Sequence, residues 1–140
     1  MASTPTDKFE ARVAPILERL RQHFNQQSPI VSDVVDNEGH QYVNLVQEGG
    51  GVLGIALVGY TYILEQMGIR FMKMAGTSAG AINTMLLTCL GGKQEAKSLR
   101  ILELMDRQPF FDFVDGDPAA KRIIRHLITS ESYVKRLFIW

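Results

Sequence analysis

The residues best suited to chemistry stand in two glycine-rich turns. Gly76-Thr77-Ser78-Ala79-Gly80 has the form G-x-S-x-G. That pattern sets a serine on a sharp strand-to-helix turn between small residues, so its hydroxyl stands clear for nucleophilic attack. Upstream lies Gly49-Gly50-Gly51-Val52-Leu53-Gly54. A tight turn of this kind, opening a helix, leaves backbone N–H groups free to receive negative charge. Acyl transfer through a serine needs both parts, because the tetrahedral intermediate carries an oxyanion, and one well-placed donor lowers the barrier by about 2.7–4 kcal/mol. Ser78 is therefore the candidate nucleophile. The N–H groups of Gly49, Gly50 and Gly51 are the candidate oxyanion donors, and Gly76 and Gly80 the small residues of the nucleophile elbow.

Other chemistries fit less well. The first turn also matches G-x-G-x-x-G, the dinucleotide fingerprint, which requires an acidic residue about 20 positions on, at the end of the next strand. Met74-Ala75-Gly76 stands there instead, and Glu65 lies on the intervening helix. A Walker loop is excluded because no Lys-Ser or Lys-Thr pair follows the glycines. The bland account of Ser78 is an N-capping serine in an ordinary turn. His23, His40 and His126 each read as solvated surface histidines. A Ser78–Asp115–His126 triad would draw its last two members from one short helical region rather than from loops after later strands, so it is rejected.

The two turns need strands to deliver them and helices to follow. Residues 42–46 are β-rich and read as the first strand, and 69–75 as the second. Residues 53–67 have helical length, with Gly68 where a C-cap belongs. Gly59 within them predicts close packing against a neighbour. Residues 79–90 are apolar nearly all round, the pattern of a buried helix. Strand, helix, strand, helix with a long first crossover predicts a parallel βαβ unit. In a parallel pair both strands end at the same edge, so the two turns are expected to face each other, with the dipole of the second helix beneath Ser78.

Around this unit, Thr6 is expected to cap a helix over 7–26, with Phe9, Val13, Ile16, Leu17, Leu20 and Phe24 on one face. Residues 28–40 connect it to the first strand through a short hairpin, marked by Asn37-Glu38-Gly39. Downstream, 94–106 forms an amphipathic helix, 109–118 a loop, and 119–128 and 130–140 further helices. The ending Leu137-Phe138-Ile139-Trp140, apolar and without a turn, is what a cut through a larger domain would leave. The domain reading is an N-terminal helix and connecting segment over 1–40 and a partial α/β domain over 41–140.

The 140 residues carry no net formal charge, 46% are hydrophobic and 21% charged. That composition suits one globular domain and leaves no electrostatic footprint for nucleic acid. The longest apolar run, 52–64, is shorter than the roughly 20 residues a spanning helix needs. The N-terminus has no secretory pattern, and the single cysteine, Cys89, reads as a buried reduced thiol, so a cytoplasmic location is expected.

The two turns together resemble the patatin-like phospholipases, whose signature is Gly-Gly-Gly-x-Arg/Lys-Gly after the first strand and Gly-x-Ser-x-Gly after the next. The match in type, order and separation spans 42–90 and thins towards Val114, where Leu104-Met105-Asp106-Arg107-Gln108-Pro109-Phe110-Phe111-Asp112-Phe113 is similar to the segment that follows. The resemblance implies a three-layer α/β/α fold with a mostly parallel sheet, and hydrolysis of lipid acyl esters at a membrane surface by a Ser–Asp dyad, with no cofactor and no metal. Ser78 would be the nucleophile, and Gly49, Gly50 and Gly51 the oxyanion donors. Leu53 replaces the usual basic residue of the turn, which is expected to alter rate or substrate while leaving the backbone donors in place. The family's aspartate belongs to an Asp-Gly-Gly or Asp-Gly-Ala motif far downstream. Asp115-Gly116-Asp117-Pro118 has the wrong third residue and comes too soon, so it reads as a loop and helix cap, and the dyad's base is expected beyond Trp140. The rival readings are a catalytically silent fragment of the same fold and a nucleotide-binding module.

Overall fold

The computed structural model describes residues 4–27, 29–50, 54–107, 117–119, 121–122 and 126. The chain falls into two compact units, Met1–Asp106 and Arg107–Trp140. The first holds α1 (Pro5–His23), β1 (Gln41–Gln47), α2 (Gly54–Gln66), β2 (Ile69–Gly76), α3 (Ala79–Cys89) and almost all of α4 (Ser98–Arg107).

β1 and β2 pair in parallel, with Gln41 opposite Ile69, Val43 opposite Phe71 and Gln47 opposite Gly76, and a register shift between Val43 and Leu45. This is the expected βαβ unit, and with its helices it makes an α/β fold. Alternation along β1 turns Leu45 inward and leaves Val46 exposed. The inward side meets all three following helices: Leu45, Ile69 and Phe71 pack with Val58 of α2, Leu87 of α3 and Ile101 and Leu102 of α4. Burying each such side chain contributes about 1.5–3 kcal/mol, which is what holds the strands and their turns together.

α1 is an outer layer on α2. Val13 and Leu17 pack with Tyr62, and the Phe9 ring meets Tyr62 edge-on at 5.2 Å between centroids. Its cap lies at Thr4 rather than Thr6. Thr4 Oγ1 accepts the Asp7 N–H while Asp7 accepts the Thr4 N–H, and Pro5 occupies the first helical position. This reciprocal box satisfies two donors that a start at Thr6 would leave open, and proline is suited to that first position because its missing N–H is not needed there.

Three further expectations change. α3 is not buried on every side: Gly80, Asn83, Thr84 and Leu87 face inward, whereas Ile82 and Met85 are more than half exposed. Cys89 is exposed at its end. Gly59 does sit beside α1, but a Cβ there would stand an ordinary 3.8 Å from the Phe9 ring, so close packing does not require the glycine. Gly68 ends α2 as expected, with a φ of +77°. The hairpin before β1 also forms, with Val35 bridging Gln41 antiparallel and Gly39 at φ +85°. Asp117, at the reading of a helix cap, accepts the N–H groups of Ala119 through its carboxylate and Lys121 through its carbonyl. Asp115 and the expected helix 130–140 lie outside the described residues.

Candidate active site

β2 ends at Gly76 and α3 begins at Ala79, so the chain must reverse within two residues. Ser78 takes the strain, with φ 49° and ψ −123°. Backbone in such a sparsely populated region costs about 1–3 kcal/mol and persists only where the surroundings enforce it. Here they do. The Thr77 N–H donates to the Gln47 carbonyl at 3.0 Å, the Gly80 N–H to the Thr77 carbonyl at 2.9 Å, and the Ala81 N–H to the Ser78 carbonyl at 3.0 Å. The elbow also closes on itself. A Cβ at Gly76 would overlap the Gly80 carbonyl and stand 2.7 Å from the Ala81 nitrogen, and one at Gly80 would overlap the Gln47 carbonyl. Both elbow positions admit only glycine.

Ser78 makes no side-chain cap to α3. Among the described residues its Oγ makes no hydrogen bond, and the residue is exposed. An N-capping serine would be bonded to the first turn of its helix. Among the described residues this hydroxyl instead stands unbonded at the N-terminus of α3, where the aligned peptide dipoles of the helix give a positive end.

The first turn arrives beside it. A Cβ at Gly49 would stand 2.9 Å from Ser78 Oγ and 3.1 Å from the Thr77 carbonyl. The N–H groups of Gly49 and Gly50 make no hydrogen bond among the described residues, and both glycines are exposed. Gly51 lies outside the described residues. An unbonded hydroxyl thus adjoins a glycine turn whose N–H groups are unspent among the described residues, an arrangement able to receive a carbonyl carbon and its developing oxyanion.

The other chemistry-bearing groups are engaged in building the fold. Glu65 accepts the Lys97 N–H at 2.9 Å and the Ser98 N–H at 3.0 Å, capping α4. It therefore cannot serve a ribose. A cleft of about 320 Å³ opens along the first half of β2, lined by Arg70, Met74, Leu87, Thr88, Lys97 and Glu65 among others, and it includes neither Ser78 nor Gly49. Arg70 spends its guanidinium on the carbonyls of Gln94, Glu65 and Ile69 and on His40. Lys97 donates to the Leu87 carbonyl near the C-terminal end of α3, and burial lowers its pKa although Glu95 and Glu65 oppose that.

His40 is not a free surface histidine. Arg70 Nη2 donates to its Nε2 at 3.0 Å, which leaves the Nδ1 proton for Asp36 at 3.0 Å. Burial pushes the Asp36 carboxyl up, but bonds from the His40 backbone and ring, the Tyr42 hydroxyl and the Glu38 N–H outweigh it and hold the pKa at about 2. This cluster braces the start of β1, at the opposite end of the strand from Gly49.

Sequence reasoning missed Gln47 and Asn83. Gln47 occupies an inward position of β1 and Asn83 an inward position of α3, each 4% exposed, with Asn83 Nδ2 donating to Gln47 Oε1 at 2.8 Å. The legible signal was a polar residue at a position where period-2 or helical spacing calls for an apolar one. Among the described residues no group of acidic, histidine or cysteine side chains is placed to hold a metal ion, and no helix is long and apolar enough to cross a membrane.

The family model described as patatin-like phospholipase matches residues 45–138. A Bacillus subtilis (strain 168) protein described as uncharacterized protein YqhO is 58% identical over 41 residues, which cover 29% of this chain and 14% of that protein. The chain thus matches a small part of that relative's length. No solved structure matches it.

Proposed function

This chain belongs to the patatin-like phospholipase family, and from that premise we propose that it acts on lipid acyl esters through Ser78. The family supports a lipid hydrolase as the class of activity. The finer reading is carried by one observation, the exposed Ser78 hydroxyl at a strained elbow directly against Gly49.

In the proposed reaction Ser78 Oγ attacks the ester carbonyl carbon. Its proton passes to a carboxylate base, and the carbonyl oxygen takes up negative charge towards the N–H groups of Gly49, Gly50 and Gly51. Collapse expels the alcohol and leaves an acyl-serine, which water hydrolyses to free Ser78 and a fatty acid. The positive end of α3 favours the same developing charge. The aspartate of the dyad rests on family resemblance alone, and Asp117, engaged with Ala119 and Lys121, is not offered for it. Leu53 in place of a basic residue leaves the oxyanion site to backbone donors, which do not depend on side-chain identity.

The test is covalent labelling with a fluorophosphonate, in which Ser78 Oγ displaces fluoride from phosphorus. A form of the protein that carries the dyad's aspartate is expected to label, and the same form with Ser78→Ala is not. Equal labelling of the two refutes the assignment, and a folded wild type that never labels favours a silent protein of the same fold.

A further inference from the structure

Gln47 is the last residue of β1, and its backbone runs directly into Glu48 and Gly49. It meets the elbow at Thr77 and Gly80 and the following helix at Asn83. Its carbonyl accepts the Thr77 N–H at 3.0 Å, its side-chain Oε1 accepts Asn83 Nδ2 at 2.8 Å, and its Cβ would stand 3.0 Å from a Cβ at Gly80. Thr77, Gly80 and Asn83 bracket Ser78 in the chain. One residue therefore fastens the root of the glycine turn to both sides of the serine.

The amide pair is expensive as a stabilising device. Among the described residues, Gln47 Nε2 and Asn83 Oδ1 are buried and have no partner. An unsatisfied buried donor or acceptor costs about 1–3 kcal/mol, and apolar residues of similar size in both places would avoid that cost. What an apolar pair cannot supply is a directional link of fixed length between β1 and α3. We propose that Gln47 and Asn83 are positioning residues that set the separation between the Gly49 N–H and Ser78 Oγ. This rests on Ser78 being the nucleophile.

The bond's symmetry provides the test. If both amides turn over, donor and acceptor exchange, so an acid at either single position still finds an amide N–H opposite it. Asn83→Asp can accept from Gln47 Nε2, and Gln47→Glu can accept from Asn83 Nδ2. The double variant Q47L/N83L has neither donor nor acceptor on either side, and Asn83→Leu has none on α3. The rate constant for phosphonylation of Ser78 is measured on each variant below its melting midpoint. Asn83→Leu and the double variant are expected to slow at least ~10-fold, within the ~10²-fold that a 1 Å misplacement costs, and each single acid to stay within about 3-fold of wild type. A general packing role would lower midpoints without producing this rescue. Wild-type rates in Asn83→Leu, or single acids as slow as the double variant, overturn the proposal. If a form carrying the dyad's aspartate does not label at all, the hydrolase reading has failed. Amide exchange then decides the positioning claim: the Thr77 N–H, held by Gln47, is expected to exchange at least ~10-fold faster in Asn83→Leu while Phe71 is unchanged, and equal exchange at Thr77 overturns it.

Discussion

Ser78 occupies the space that a side chain on Gly49 would need. A Cβ built on Gly49 would overlap Ser78 Cβ and stand 2.9 Å from Ser78 Oγ, so the serine and the glycine turn are in direct contact although 28 residues separate them. The glycine is there for proximity, since its φ is not among the positive ones. Gly49→Ala must therefore push the two apart. Because Gly49 is exposed and outside β1, the fold is expected to survive while phosphonylation of Ser78 falls about 100-fold, the scale of a 1 Å misplacement. Labelling rate alongside circular dichroism checks this, and an unchanged rate means the turn is not part of the site.

The strain at Ser78 makes a separate prediction about stability. Alanine keeps the φ of 49°, whereas glycine adopts it freely. No cap bond is lost in either case, because the Ser78 side chain makes none. Ser78→Gly is expected to be more stable than Ser78→Ala by about 1 kcal/mol, the released strain less the extra entropy of an unfolded glycine. Urea unfolding of the two variants measures it, and equal midpoints mean that the strain is no larger than the extra unfolded entropy of the glycine.

Glu65 gives the control at a distance from the chemistry. Removing its carboxylate leaves the Lys97 and Ser98 N–H groups buried without an acceptor. Glu65→Ala is expected to cost about 2–4 kcal/mol, the loss of a cap and two buried bonds. Glu65→Gln keeps one acceptor and should lose less. Chemical denaturation checks both, and nucleotide addition is expected to shift neither midpoint, since Glu65 is committed to α4.

Acid should loosen the start of β1 before it reaches the elbow. Asp36 has a pKa of about 2 against an ordinary 3.8, so its stabilising contribution is complete above 3.8 and is lost as pH falls through about 2. Asp36→Asn is therefore expected to melt below wild type at pH 7, with the gap closing between those two values. A gap that stays constant over that range would show that the carboxylate's charge is not what stabilises the hairpin.

Local pattern carried most of the fold. The two glycine turns, the strands that feed them and the α2 terminus at Gly68 follow from periodicity and from glycine's special backbone range, which are properties of short segments. α3 shows the limit. Its apolar composition reads as burial all round, yet Asn83 and Thr84 face inward and Ile82 and Met85 face out, because the inward face is chosen by the contact with β1 and β2. Cys89 and His40 were misread for the same reason, since exposure and partners depend on segments remote in sequence.

The sequence by itself determined that a serine would stand between small residues where a strand gives way to a helix, and that a run of glycines would precede it on a neighbouring strand. Only the tertiary structure decided that Gly49 touches Ser78, that the serine side chain is unbonded among the described residues and its backbone strained, and that Gln47 and Asn83 join the two turns. Turn chemistry is written in adjacent residues, and distances between turns are not. They are set by the register of β1 on β2 and by the packing of α3 across both, which arise only when the whole hydrophobic face is buried at once.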